Sequence, residues 1–356
     1  MRISRIILLS IGLALFTACG KDGGQSNPDN FDRSAVIENT VDHLILPSYG
    51  DLIDEMMALE SAFSTYKDET TASNKDALKT AWLNAYLAWQ DAALWNFGPA
   101  ESQGLMTAMN IYPTDTAQIV SNINGTYDLN SIAQIDAQGF PALEYMLFGN
   151  FDLTQANALL YFEAVVMRMK DKALNTANQW ASVKNDFINS TGTDQGSALG
   201  QLFNSTFLPY LEVHQREAKF GIPGGQRTGQ PDPSKVECRY ARVYSKQLAL
   251  RAFQAYRRAW LGMSHTDHNA GPSVMDYVAY MDNRNGTSLE TKLQDQLDGI
   301  ELAIDGLDDD FYVIAQSNPQ LLNDVWAQYQ LMVFTIKTEI SSALNVTISY
   351  VDSDGD

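Results

Sequence analysis

Apolar residues recur every three or four positions through most of the chain. From Val36 the series Ile37, Val41, Leu44, Ile45, Leu52, Ile53, Met56, Leu59 and Phe63 lies along one helix face. Pro47 lacks an amide hydrogen and should break or kink that helix at Leu46. A second helix is predicted from Ser73, where Asp76 three residues on makes a start resembling a capping box. Its buried face carries Leu78, Trp82, Ala85, Tyr86, Trp89 and Ala93, and Gly98-Pro99 should end it. These aromatics read as core packing. Residues 100–135 are interrupted by Gly104, Pro113 and Asn124-Gly125 and read as short helices and loops. Further helices are predicted over 141–149, 153–189, 197–219, 233–263, 273–283, 287–306 and 318–345, with Asp232 as the cap and Pro233 as the first residue of the fourth in that series. Residues 346–351 are the only strand candidate. The expectation is an all-α protein.

Residues 190–196, Ser-Thr-Gly-Thr-Asp-Gln-Gly, divide the pattern in two. A faint echo links the halves: Asn84-Ala85-Tyr86-Leu87-Ala88-Trp89 resembles Gln254-Ala255-Tyr256-Arg257-Arg258-Ala259-Trp260, with one extra residue. Two packed helical bundles of similar plan are therefore expected, over 34–190 and 197–356, with a functional cleft between them.

The N-terminus departs from this pattern. Arg2 and Arg5 precede an apolar run over residues 6–16, too short to span a bilayer but suited to a secretory signal. Leu15-Phe16-Thr17-Ala18-Cys19 has the form of a bacterial lipobox, which makes residues 1–18 the signal peptide and Cys19 the lipidated first residue of the mature chain. Residues 19–33 read as a flexible tether. Gly20 is not the Asp that retains a lipoprotein in the inner membrane, so the outer membrane is the expected address in the bacterial envelope. The formal net charge of −19 becomes −21 once the two signal arginines are lost. Nucleic acid is excluded as a partner by that charge, while cations suit it. With Cys19 lipidated, Cys238 has no partner for an intrachain disulfide.

Common catalytic signatures are missing: the sequence holds no His-Glu-x-x-His, Glu-x-x-His, Walker loop, nucleophile elbow or EF-hand loop. Two local groups could contribute metal ligands. His214 and Glu217 stand three residues apart on a predicted helix, and His265-Thr266-Asp267-His268 follows another. Neither completes a site by itself.

Several segments, taken in order, resemble the imelysin-like family. Ala81-Trp82 through Trp89-Gln90 to Phe97-Gly98-Pro99 is similar to the family's Trp-rich helix and its closing turn. Gly139-Phe140-Pro141-Ala142-Leu143-Glu144 resembles its hallmark, a Gly followed by His and then Glu. Lys219-Phe220-Gly221-Ile222-Pro223-Gly224 resembles a Gly-Ile-Pro loop, Val236-Glu237 with Tyr244-Ser245 the next helix, and Gly271-Pro272-Ser273 with Asp276-Tyr277 a later turn. The resemblance covers the chain from about residue 35 and departs at Pro141, which stands where the family has His. Proline offers neither a ligand nor a base.

The family has been classed among metallopeptidases and linked to bacterial iron uptake, so the resemblance implies either activity. Pro141 weighs against the peptidase. The reading that follows is a lipid-anchored binding component in the uptake of iron or another divalent or trivalent cation, working with uptake proteins of the same membrane. A glycan or polyanion binder is the further alternative. Gly139, Glu144, Lys219, Glu237 and Tyr244 are the expected cleft residues. Glu144 and Glu237 are the candidate hard-cation ligands, each expected at a helix start, with Tyr244 on the same face as Glu237. His214 and Glu217 form a second candidate pair.

The anchor gives a direct test. Each buried lipid methylene contributes about 0.8 kcal/mol, so an acylated Cys19 holds the chain firmly to its membrane. Cys19→Ala should release a folded protein into the soluble periplasmic fraction. A mutant that stays on the membrane through a salt wash would remove the lipoprotein reading.

Overall fold

The apolar stripe from Val36 forms a helix that continues through Pro47. Arg33–Asn39 and Leu46–Asp68 are α-helical, and the turn between them, Thr40–Ile45, is π-helical. There the Leu46 amide bonds to the Val41 carbonyl, five residues back. This wider turn sits directly before a ring that would otherwise collide with the carbonyl four residues earlier, so the break expected at Leu46 does not occur. The computed structural model describes residues 29–351. Residues 1–28, with the predicted signal, Cys19 and most of the tether, lie outside the described residues.

The second helix is Ala72–Ala92. Thr71, not Ser73, is its cap, accepting from the Asn74 amide. Its inward face buries Leu78, Trp82, Ala85, Tyr86 and Trp89, as the spacing predicts. Leu46–Asp68 packs against both Ala72–Ala92 and Ala156–Ile188. Phe63 and Phe162 stack between them, with ring centroids 4.7 Å apart. In the second half, a π-helix over Tyr210–Gly221 packs against Gln320–Phe334, which in turn packs against Leu289–Asp305. Ser245–Leu261 packs against Leu289–Asp305 and also against Ala72–Ala92. From Asp32 onward the chain is thus one compact unit, and the two segments that echo each other in sequence lie on the pair of helices that joins its halves. The fold is all-α.

Three expectations are corrected. The predicted 233–263 helix is interrupted: Pro233–Lys235 is a single 3-10 turn, and α-helix begins only at Ser245. Between them Cys238 and Arg242 adopt φ of 63° and 53°, which an α-helix of L-residues does not accommodate. Glu237 therefore lies in a buried irregular segment, not at a helix start, and shares no helix face with Tyr244. Second, Phe311–Ser317 forms a helix that periodicity missed, with Asp310 accepting from the Val313 amide as its cap. Third, residues 346–351 pair with no strand. Asn204 takes up this extended backbone, accepting from the amides of Ser349 at 2.7 Å and Tyr350 at 3.0 Å and donating to the Thr347 carbonyl at 2.8 Å.

A buried charge cluster fixes the central helix pair. Asp91, at the end of Ala72–Ala92, accepts from Arg251 Nε at 2.7 Å and from Arg258 on the facing helix. Both Asp91 and Arg258 are buried. Removing one member of such a pair strands the other charge, at a cost of about 3–5 kcal/mol. Asp91→Ala should lower the urea-denaturation free energy by that order. A loss under about 1 kcal/mol would mean that apolar packing alone holds the crossing.

Candidate functional site

Four stretches of the chain converge beside the Ala72–Ala92 helix. Gly139 permits the closest approach. Its φ is +77°, and a Cβ there would lie 2.3 Å from the Met109 carbonyl oxygen. Only glycine tolerates both conditions. Gly139–Phe148 thus starts against the backbone just before Asn110, and Asn110 reaches into the site. The irregular 236–244 segment and the π-helix complete it.

Glu237 is the centre. Its carboxylate is 4% exposed and accepts hydrogen bonds from Tyr86 Oη at 2.9 Å, Gln90 Nε2 at 3.1 Å and Asn110 Nδ2 at 2.8 Å. Lys219 from the π-helix completes the set with a buried ion pair. Burial pushes the Glu237 carboxyl up. Lys219, with the hydrogen bonds from Lys219, Asn110 and Tyr86, outweighs burial and holds it below the ordinary carboxylate range.

Glu144 is also buried and has different partners. Its Oε1 accepts from the amides of Tyr240 at 2.6 Å and Ala241 at 2.8 Å. Those amides belong to the irregular segment, where no helix or sheet partner is available, so Glu144 satisfies them. Burial pushes its pKa up to about 7, against the opposing pull of the Ala241 and Tyr240 amides, Arg239 and the Cys238 thiol. Glu144 and Glu237 come into relation through Cys238. Its buried thiol hydrogen-bonds to Glu144, and burial followed by the two carboxylates pushes it well above its usual range. A cation bridging Glu144 and Glu237 would have to compete with Lys219 for Glu237. Pro141 is buried within the first turn of its helix.

Beside Lys219 lies a cavity of about 190 Å³, whose wall includes Trp89, Asn110, Tyr112, His214, Lys219 and Lys235. Trp89 is fully buried, and its indole N–H has no hydrogen-bond partner among the described residues. Burial, then Lys219, lowers the His214 pKa to about 4 against the pull of Glu237, so its ring is neutral at pH 7. Burial, then Glu237 and Tyr210, pushes the Tyr112 phenol well above its usual range, so it keeps its proton.

His214 and Glu217 do not share a face. In a π-helix, residues four and five apart stand over one another and those three apart diverge. His214, Ala218 and Lys219 accordingly line the cavity. Glu217 instead accepts from Trp326 Nε1 at 2.9 Å, Arg216 Nε at 3.0 Å and Arg227 Nε at 3.0 Å. Tyr244 lies outside the cavity wall, its ring edge-on to Phe148 at 6.2 Å. His265 faces Asp51 at 3.4 Å. Among the described residues, Asp51, Asp91 and His265 are a group of three whose ligand atoms lie within 4.8 Å of one another. Asp91 there already carries Arg251 and Arg258, so this group does not fit a catalytic metal.

The periodicity placed Tyr86, Trp89 and Gln90 on or beside a core face without assigning them to the site. Their signal is the i, i+4 spacing of Tyr86 and Gln90. Asn110 and Tyr112 come from a loop and carry no comparable pattern.

The imelysin family model matches residues 45–330. The chain belongs to the imelysin family. An imelysin-like protein from Psychrobacter arcticum 273-4 has the same fold, with a TM-score of 0.72 at 17% identity over 89% of this chain and 97% of that one. A protein provisionally named iron-regulated protein A precursor, from Parabacteroides distasonis ATCC 8503, superposes with a TM-score of 0.74 at 18% identity, over 90% of this chain and 97% of that one. Iron-regulated protein A of Synechococcus elongatus is 30% identical over 134 residues, a match spanning 38% of this chain and 35% of that protein. The ordered segments that resemble the imelysin pattern all lie inside the matched region.

The raised Glu144 pKa fixes a pH dependence. Unfolded Glu144 releases its proton near pH 4.5, whereas in the fold it holds it to about pH 7. The stability it contributes is complete below pH 4.5 and is lost as pH rises to about 7, by roughly 3 kcal/mol. Glu144→Gln keeps an acceptor for both amides and cannot ionise. Relative to this variant, the wild type should lose that amount of stability between pH 4.5 and 7 in urea titrations. A constant difference across the range would show that Glu144 ionises normally.

Proposed function

We propose that this imelysin-family protein is an envelope-anchored binding protein in iron acquisition, and that the cavity beside Lys219 is its ligand site. The observation that carries the reading is the cavity wall: an immobilised Lys219–Glu237 pair with Lys235, a phenol and a neutral imidazole around one partly open space. Such a wall binds and orients a small molecule. The names of two relatives refer to iron regulation, which gives the ligand its context. Iron here is cargo, arriving as an ion or within a chelate.

Proteolysis fits the site less well. A catalytic metal normally needs about three protein ligands and an open water position. Pro141 supplies no ligand, Glu144 is committed to two amides and Glu237 to Lys219. A polymeric glycan or polyanion does not suit a cavity of only about 190 Å³ in a chain of net charge −19. Cys19 would place the protein on the outer membrane, next to uptake partners in the same envelope.

Cells lacking the protein should grow more slowly when iron is withheld and recover when it is supplied. Protein isolated from the envelopes of iron-supplied cells should carry iron, measurable by mass spectrometry. Iron-free protein together with unaltered growth would sink the reading. Chelator-sensitive cleavage of an unfolded protein substrate that disappears in Glu144→Ala would replace it with a peptidase.

A further inference from the structure

We infer that the cavity takes the carboxylate end of a small organic anion, either a free organic acid or the outer face of a ferric chelate. The inference rests on the cavity being the ligand site and adds what chemistry it selects. It follows from the donors that remain after the protein's own hydrogen bonds are formed.

Lys219 has three N–H groups. One meets Glu237 and one meets Gln90 Oε1 at 3.1 Å, which leaves one for the cavity. Lys235 lines the same wall, and its ammonium has no hydrogen bond or ion pair with any described residue. Trp89 lines the wall with its ring, and its N–H is buried too completely to reach a ligand there. Tyr112 keeps its phenolic proton, and a neutral His214 offers one ring N–H.

No free carboxylate lines the cavity. The acid nearest to it, Glu237, is filled by four donors. The wall therefore asks for acceptors, and a bare cation would meet two ammonium groups.

The charge balance narrows the class. Lys219 and Glu237 cancel, and Lys235 leaves one positive charge. One carboxylate matches it with two oxygens and about four lone-pair sites; the further carboxylates of a larger acid stay at the open side of the cavity, whereas a phosphate dianion brings both its charges inside. The overall acidity of the chain does not oppose this, because exposed charges beyond about 8 Å are screened at physiological salt. About 190 Å³ is room for roughly six water molecules. That admits a small acid or one arm of a larger chelate.

Calorimetric titration of the full mature chain tests this with five probes: metal-free citrate, succinate, Fe(III)-citrate, Mn(II) alone and inorganic phosphate. Citrate, free or ferric, should bind. Lys235→Met, at a half-buried position, should weaken that binding about tenfold or more, as loss of a charge-assisted hydrogen bond does. Tyr112→Phe, checked for an unchanged helical spectrum, should weaken it a few-fold. Equal binding of free and ferric citrate assigns the source to organic acids and leaves the iron role to be decided by the growth and metal-content measurements. Binding of the ferric form alone assigns it to the chelate. Binding of Mn(II) without citrate, phosphate binding as tight as citrate, no binding of any carboxylate, or affinities unmoved in both variants would each overturn the inference.

Discussion

The buried pairing of Glu237 with Lys219 is the constraint on which this site depends. An ionised carboxylate out of water is tolerated only when its lone pairs are filled. Here the donors come from separate parts of the chain: Tyr86 and Gln90 from one helix, Asn110 from a loop and Lys219 from the π-helix. Satisfying one charge therefore fixes three stretches relative to one another. The cavity is the space left beside that junction, which is why a mostly apolar wall also carries Lys219, Asn110 and His214.

Glu144 supports the junction from the opposite side. Its two amide partners, Tyr240 and Ala241, follow Glu237 by only a few residues, so it holds the irregular segment that presents Glu237. This role needs no histidine two residues after Gly139. Pro141 fits the first helical turn and leaves the anchoring intact. The hallmark segment in this chain is then scaffold, with Gly139 setting the approach and Glu144 satisfying the backbone.

Helix positions and the family were legible in the sequence because they rest on spacing. Leu78 to Trp89 announce a buried face, and Phe97-Gly98-Pro99 and Gly221-Ile222-Pro223 announce the turns. The site was legible only in part. Lys219 and Glu237 were marked by neighbouring family segments, but their pairing depends on two features that periodicity does not encode. One is the left-handed backbone at Cys238 and Arg242, residue types that carry no such preference. The other is the π-helix, whose residues read as an ordinary helix and so placed His214 with Glu217 instead of Lys219. Trp89 was read as core and is fully buried; that its ring also borders the cavity is not legible from spacing.

The Tyr210–Gly221 π-helix has a consequence for how the family's sequences should be compared. A π-turn holds about one residue more than an α-turn. Losing a single residue between His214 and Lys219 would tighten one turn to α-helix and leave both ends in place, because the shorter turn covers the same angle. Lys219 would still meet Glu237, now four residues after the imidazole and not five. The site thus tolerates a change in chain length that an ordinary helix would not. Among relatives, a one-residue gap here is compatible with the same cavity, and the partner of the buried carboxylate should be sought one position nearer the imidazole.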